Sequence, residues 1–332
     1  MIKKLELLQF KKHANWSCNL DSKIILFHGQ NGSGKTSILE AINLAMPGKS
    51  LFGNNIEELI QHNKDAFEIK ITADSKLSIL FMQGKKIIKI QENHKKPLEV
   101  LQYFRISGLN PYIALAFWKE NTIKRKYIDR IIMQQEPIFP SIYLEYLKNI
   151  KKRNQLIESS QFNSHWANAL DPIIKDYGLQ LTKIRKKTLD KLTNDLSHEL
   201  KNFLQGDLHI SFSPTLEEQE KIFSKKLDFS FTGPHLTKFF LGTKNGTKNE
   251  ENNFYDKLAS TGQQKKLLLT LTLAALPNND DTENILLLDD IFANLDNETI
   301  QNLINLLSTQ NFQTFVTNIN KIENNLIEQH QL

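Results

Sequence analysis

The stretch Gly29-Gln30-Asn31-Gly32-Ser33-Gly34-Lys35-Thr36 contains the residue types needed to grip a chain of phosphates. Its glycines let the backbone turn tightly enough for successive N–H groups to point at one anion, and a helix opening near Lys35 adds its positive end. Lys35 is placed to neutralise β/γ-phosphate oxygens, and the Thr36 hydroxyl to sit on magnesium. The spacing G-x-x-x-x-G-K-[ST] is complete, so ATP and Mg2+ are the expected ligands, with Gly29 to Thr36 as their binding residues.

The second cluster is Ile285-Leu286-Leu287-Leu288-Asp289-Asp290. Four apolar residues followed by acids are the pattern of a buried strand that delivers a carboxylate at its C-terminal edge. Asp289 is the expected magnesium ligand beside Thr36. Asp290 is the expected catalytic acid, orienting or deprotonating the attacking water, with Lys35 as the catalytic cation. The acid in the Asp290 position of ABC ATPases is more often Glu, and a shorter side chain predicts slow hydrolysis. Twenty-six residues before Asp289 stands Gln263, within Ala259-Ser260-Thr261-Gly262-Gln263-Gln264. This resembles the ABC signature, with Thr261 where a glycine is usual and Leu258 displaced by one residue. Ser260, Gly262 and Gln263 are the candidate nucleotide contacts from this segment; Ser-Thr-Gly also reads as a plain helix N-cap. Ala293-Asn294-Leu295-Asp296 resembles the D-loop that follows.

These residues need a scaffold. Ile24-Ile25-Leu26-Phe27 is apolar throughout, as expected of a strand covered on both faces, and it runs directly into the phosphate loop. Leu5 to Phe10 and Phe312 to Val316 are further strands, and Ile38, Leu39, Ile42 and Leu44 have helix spacing. Residues 66 to 106 alternate as an antiparallel patch would. From Asn110-Pro111 to about Leu204 the spacing is helical. Leu208, Ile210 and Phe212, then Leu227, Phe229 and Phe231, return to alternation; Thr243 to Asn253 reads as a loop, and Gln263 to Ala275 as a helix. The expected fold is α/β, an ABC-type P-loop ATPase head with a β-rich lobe and an inserted α-helical lobe. The head spans 1–108 and 205–332, and the insertion 109–204. His28, at a strand end, reads as a packing residue.

Composition narrows the setting. The single cysteine, Cys18, excludes an intramolecular disulfide and a Cys-rich zinc site and fits a reducing compartment. The charged N-terminal residues do not suit a signal peptide, and the apolar run near Leu267 to Leu276 is too short for a bilayer, so a cytoplasmic protein without membrane contact is expected. Between Lys119 and Arg153 there are nine Lys/Arg against four Asp/Glu, which accounts for the whole net charge of +5. Such an island suits either a phosphate-backbone footprint or a solvated helix surface.

With these motifs in order, the chain resembles the RecF family of bacterial recombination-mediator ATPases, relatives of chromosome-maintenance protein heads. Gln30 to Thr36 followed by Leu39-Glu40-Ala41-Ile42 is similar to that family's P-loop. Lys124-Arg125-Lys126-Tyr127-Ile128-Asp129-Arg130 resembles its basic stretch, and Tyr146 to Asn154 a helix ending in Arg-Asn. Thr232-Gly233-Pro234-His235 matches a short motif, and Ser260 to Lys265 the signature loop. Leu236 and Thr237 depart from the Arg and acid that usually follow, and Gly48 to Phe52 lacks an arginine often found there. The resemblance implies ATP-dependent homodimerisation, binding to single- and double-stranded DNA at gap junctions, and cooperation with RecR and RecO in loading RecA. It implies a weak DNA-stimulated ATPase in the repair of gaps and stalled forks. The expected DNA contacts are Lys124, Arg125, Lys126, Lys151, Lys152 and Arg153, with Lys183, Arg185, Lys186 and Lys187 as a second choice. Two other functions compete: a transporter's nucleotide-binding subunit, whose switch histidine is missing after Val316-Thr317-Asn318, and a non-hydrolysing nucleotide sensor.

Overall fold

The structure is a computed structural model and describes residues 1–47, 52–158, 164–215, 217–219, 221, 233–243, 260–276, 282–293 and 295–332. The chain forms two compact units: Met1–Leu115 with Thr261–Leu332, and Ala116–Ser260.

In the first unit, strands β1 (Lys4–Phe10) and β2 (His13–Asn19) form a hairpin, and β3 (Ile24–His28) leads through the Gly29–Gly34 loop into helix α1 (Lys35–Asn43). Strands β4 (Ala66–Thr72), β5 (Lys76–Met82), β6 (Lys85–Ile90) and β7 (Asn93–His94) complete a six-stranded antiparallel sheet in the order β2-β1-β4-β5-β6-β7. Its alternation is visible in the register. Leu5 pairs with Ile71 and Ile71 with Leu77, all buried, while Lys70 faces out. Strand β8 (Phe104–Leu109) then enters a second sheet.

The chain passes through α2 (Pro111–Lys119) into the second unit. Helices α3 (Asn121–Gln135), α4 (Phe139–Glu158), α5 (Ser164–Asn194) and α6 (His198–Leu204) precede the hairpin β9 (Leu208–Ser213) and β10 (Lys238–Thr243). This unit is larger than the helical lobe expected at 109–204. Strand β9 packs on α5 and β10 on α3, so residues beyond 204 bury their apolar side chains against the helices, Phe239 and Leu241 among them. The expected strand through Leu227, Phe229 and Phe231 and the loop Thr243–Asn253 lie outside the described residues, apart from Thr243, which ends β10.

The first unit resumes with α7 (Thr261–Ala274), β11 (Glu283–Leu288), α8 (Asn297–Thr309), β12 (Gln313–Asn318) and β13 (Ile327–Gln331). The second sheet is parallel throughout, in the order β13-β3-β12-β11-β8. Its inner strands β3 and β11 are apolar and almost wholly buried, as strands covered on both faces must be. Among the described residues no helix is long and apolar enough to cross a membrane.

Candidate nucleotide site

In an open parallel sheet the loops beyond the strand C-termini form the natural ligand crevice. Here the ends of β3, β11 and β12 supply the phosphate loop, Asp289-Asp290 and Thr317, with β12 lying between the other two. They line a cleft of about 430 Å³ with Lys11, Lys12, Asn31, Gly34, Lys35 and Thr36.

The loop conformation depends on its glycines. Gly34 precedes α1 at φ 109°, in left-handed territory, and a Cβ there would lie 2.7 Å from His13 Nε2. Any other residue would combine backbone strain with displacement of the His13 ring. Lys35, 9% exposed, folds back so that its ammonium donates to the carbonyls of Gly29 at 2.7 Å and Gln30 at 2.8 Å. The cation is thus held over the loop.

Thr36 and Asp289 meet as expected: the Thr36 hydroxyl donates to Asp289 Oδ1 at 2.9 Å. Sequence reasoning missed a third partner. Thr317 Oγ1 donates to the same carboxylate oxygen at 2.7 Å and accepts from the Asp290 N–H at 2.9 Å. One hydroxyl therefore ties both acids together. Its only trace in the sequence is a polar residue at the end of an apolar strand, in the Val316-Thr317-Asn318 segment. Burial pushes the Asp289 carboxyl above the usual carboxylate range, and the hydrogen bonds from Thr317 and Thr36 pull it back only in part. A buried carboxylate beside a hydroxyl is a hard-oxygen donor set, and its desolvation cost is offset when a divalent cation binds. Because the metal needs the carboxylate form, its binding should weaken as pH falls through this raised value.

Thr317→Val removes a hydrogen bond to a charged group, worth roughly 1.5–3 kcal/mol. Magnesium affinity measured in the presence of ATP should therefore fall roughly ten- to a hundredfold. An unchanged magnesium midpoint would show that Thr317 does not orient Asp289.

Asp290 sits at φ 47°, a left-handed conformation that costs a non-glycine residue roughly 1–3 kcal/mol. The β1–β2 turn adds cations that sequence reasoning also missed. Lys12 donates to the Gly32 carbonyl, while Lys11 pairs with Glu40, a fully buried acid of α1 that also accepts from Asn54 at 2.7 Å. Only their closeness in three dimensions reveals them. His28 is buried at the end of β3, where burial lowers its pKa and its carbonyl accepts from the Leu332 N–H at 2.9 Å.

The signature residues fall at the start of α7. Ser260 is exposed, Thr261 opens the helix, and Gly262 has open space around its Cα. Ala259 and Asn294 lie outside the described residues, as do Gly48 to Leu51 and Thr232.

The expected DNA contacts divide in two. Lys126, Lys151 and Lys152 are exposed and Arg125 is half-buried. Lys124 and Arg153 are corrected: both are buried. The Lys124 ammonium lies 5.4 Å from the Phe117 ring centroid and 5.6 Å from that of Trp118, and Arg153 Nε bonds Asp171 at 2.7 Å. Their charge serves packing inside the second unit. In the second-choice set, Arg185 is corrected likewise. It is wholly buried and bidentate to Asp129 at 2.9 and 2.8 Å, while also donating to Pro234 O at 2.7 Å. That contact gives the Gly233-Pro234-His235 motif an internal structural role. The remaining Lys183, Lys186 and Lys187 are exposed.

Parallel sheet, phosphate loop and paired acids together have the fold of an ABC-type P-loop ATPase head. The chain belongs to the family described as the RecF/RecN/SMC N terminal domain, whose model matches residues 1–330. Within it, the chain is 26% identical over 339 residues to the DNA replication and repair protein RecF of Rickettsia conorii, covering 95% of this chain and 93% of that protein. It is 27% identical over 345 residues to RecF of Rickettsia africae, covering 96% and 95%. Among solved structures, the recombination mediator protein RecF with ATP superposes with a TM-score of 0.81 at 23% identity, over 97% of this chain and 93% of that one. The Smc head domain of Pyrococcus furiosus, bound to the C-terminal domain of ScpA, gives 0.55 at 15% identity, over 96% and 89%. The structural likenesses establish the shared fold.

Proposed function

We propose that this protein is an ATP-dependent DNA-binding protein of replication and recombinational repair. In this reading it dimerises on DNA with ATP, hydrolyses it slowly, and works with RecO and RecR to load RecA at single-strand gaps. The observation that carries the ATPase part is the hydrogen-bonded cluster of Thr36, Asp289 and Thr317 beside the phosphate loop. The repair role rests on the near full-length similarity to proteins of that name.

In this mechanism the loop Gly29 to Thr36 wraps the triphosphate, and Lys35 exchanges its carbonyl contacts for β/γ-phosphate oxygens. Bound magnesium, held by Thr36 and Asp289, would neutralise phosphate charge as it builds during transfer. Asp290 orients the attacking water and accepts its proton, and Thr317 fixes the backbone from which Asp290 projects. Ser260, Gly262 and Gln263 of a second copy supply the donors on the far side of the γ-phosphate. On DNA, Lys126, Lys151 and Lys152 contact phosphates.

The test is ATP hydrolysis with and without gapped DNA over a series of salt concentrations. Turnover stimulated by DNA is expected, with stimulation fading as salt rises because phosphate contacts release counterions. Bound ATP with no turnover in either condition would overturn the enzymatic reading in favour of a nucleotide sensor. Turnover indifferent to DNA would overturn the DNA-coupled one.

A further inference from the structure

Asp290 has a left-handed backbone, and hydrogen bonds flank it on two sides. Upstream, Thr317 accepts the Asp290 N–H. Downstream, the turn Asp290-Ile291-Phe292-Ala293 is held by Lys265, whose ammonium donates to the Ala293 carbonyl. Lys265 belongs to α7, in the first turns after Thr261 and Gly262. Lys265 is half-buried; burial lowers its pKa, and the charge of Asp290 opposes that shift.

We infer that Lys265 is a positioning residue that ties the signature helix to the turn carrying Asp290, so that the attitude of α7 sets the placement of the hydrolytic carboxylate. The inference rests on the reading of Asp290 as the water-orienting acid. Three features support it. A lysine ammonium is costly to desolvate, and here part of that cost is met by a carbonyl of this turn and a nearby carboxylate. A left-handed aspartate persists only where its surroundings over-determine it. Finally, α7 begins at the residues proposed to meet the partner's nucleotide. Movement of the helix on engagement would therefore be transmitted through Lys265 to the turn carrying Asp290, without passing through the bound nucleotide of the same copy.

Positioning differs from binding in its kinetic signature. Lys265→Met keeps the aliphatic stem but loses the donor and the charge. At saturating ATP and gapped DNA its kcat should fall by roughly tenfold or more, the loss expected for a mispositioned catalytic group. KM and the dissociation constant of a fluorescent ATP analogue should stay within about threefold, because no phosphate contact is lost. Lys265→Arg, able to donate to the same carbonyl, should recover much of the turnover. Asp290→Asn separates this inference from the reading beneath it. If Asp290→Asn keeps parental turnover, the reading of Asp290 fails and takes this inference with it. If Asp290→Asn is inactive but Lys265→Met turns over at the parental rate, only the positioning role fails. The role is likewise overturned if ATP affinity falls in parallel with kcat, or if Lys265→Arg is as slow as Lys265→Met.

Discussion

Lys35→Ala should abolish tight ATP binding while leaving the protein folded. The Lys35 ammonium makes two hydrogen bonds inside the phosphate loop and is almost completely shielded from solvent. It is therefore held within the loop before a nucleotide arrives, and exchanges these two contacts for phosphate oxygens. Losing two charge-assisted hydrogen bonds to phosphate, each worth roughly 1.5–3 kcal/mol, corresponds to a fall in affinity of roughly a hundredfold or more. The carbonyls of Gly29 and Gln30 would turn to water at the loop surface, so the thermal midpoint should move by only a few degrees. Fluorescent-nucleotide titration and a melting curve on the same preparation read both effects. Binding within threefold of the parent would show that the cation does not engage the phosphates.

Asp290→Asn should bind ATP normally, stop turning it over, and accumulate as a nucleotide-bound dimer. An amide cannot accept the water's proton, whereas asparagine tolerates the left-handed backbone seen at φ 47°. The two-fold pairing belongs to the function proposed above, in which a P-loop covers one side of the γ-phosphate and the signature of a second copy covers the other. In that reading hydrolysis reopens the pair, so a variant that cannot hydrolyse ATP stays closed. Light scattering at matched concentrations should give a dimer with ATP and a monomer with ADP. Ser260→Arg, which places a bulky cation at that contact, should bind ATP and remain monomeric. A monomeric Asp290→Asn protein under saturating ATP would rule the arrangement out.

The parts legible in sequence were those where one local pattern fixes one structure. Gly29 to Thr36 declares a phosphate loop because backbone geometry dictates the glycine placement, and phosphate charge and magnesium dictate the following Lys-Thr. Ile285 to Asp290 declares a buried strand with an acid at its end for similar reasons. Thr317 and Lys265 were not legible as site residues, because a threonine at a strand end and a lysine on a helix are ordinary until the fold brings them to Asp289 and Ala293. The error over Lys124, Arg153 and Arg185 has the same origin. Charge counted along a sequence says nothing about which guanidinium has an internal carboxylate to meet, as Arg185 meets Asp129. Strand β13, with Glu, Gln and His at intermediate exposure, lacks the apolar run that marked β3, its neighbour in the parallel sheet.

The insertion of Ala116–Ser260 between the two parts of the ATPase unit has a consequence for how the protein is made. Thr36 and Asp289 are 253 positions apart, and at roughly 5–20 residues per second a ribosome needs about 10–50 s to travel between them. During that interval β3 and β8 have emerged without β11 and β12, which lie between them in the finished sheet. The nascent chain therefore exposes two apolar strand edges while the intervening unit, whose elements are contiguous, has everything it needs to fold. Nucleotide cannot help to nucleate the first unit, because the carboxylate end of its site does not yet exist. ATP and magnesium should protect the finished protein against unfolding but leave the yield of its synthesis unchanged, and early release of the ribosome should leave a folded inserted unit attached to an unpaired sheet.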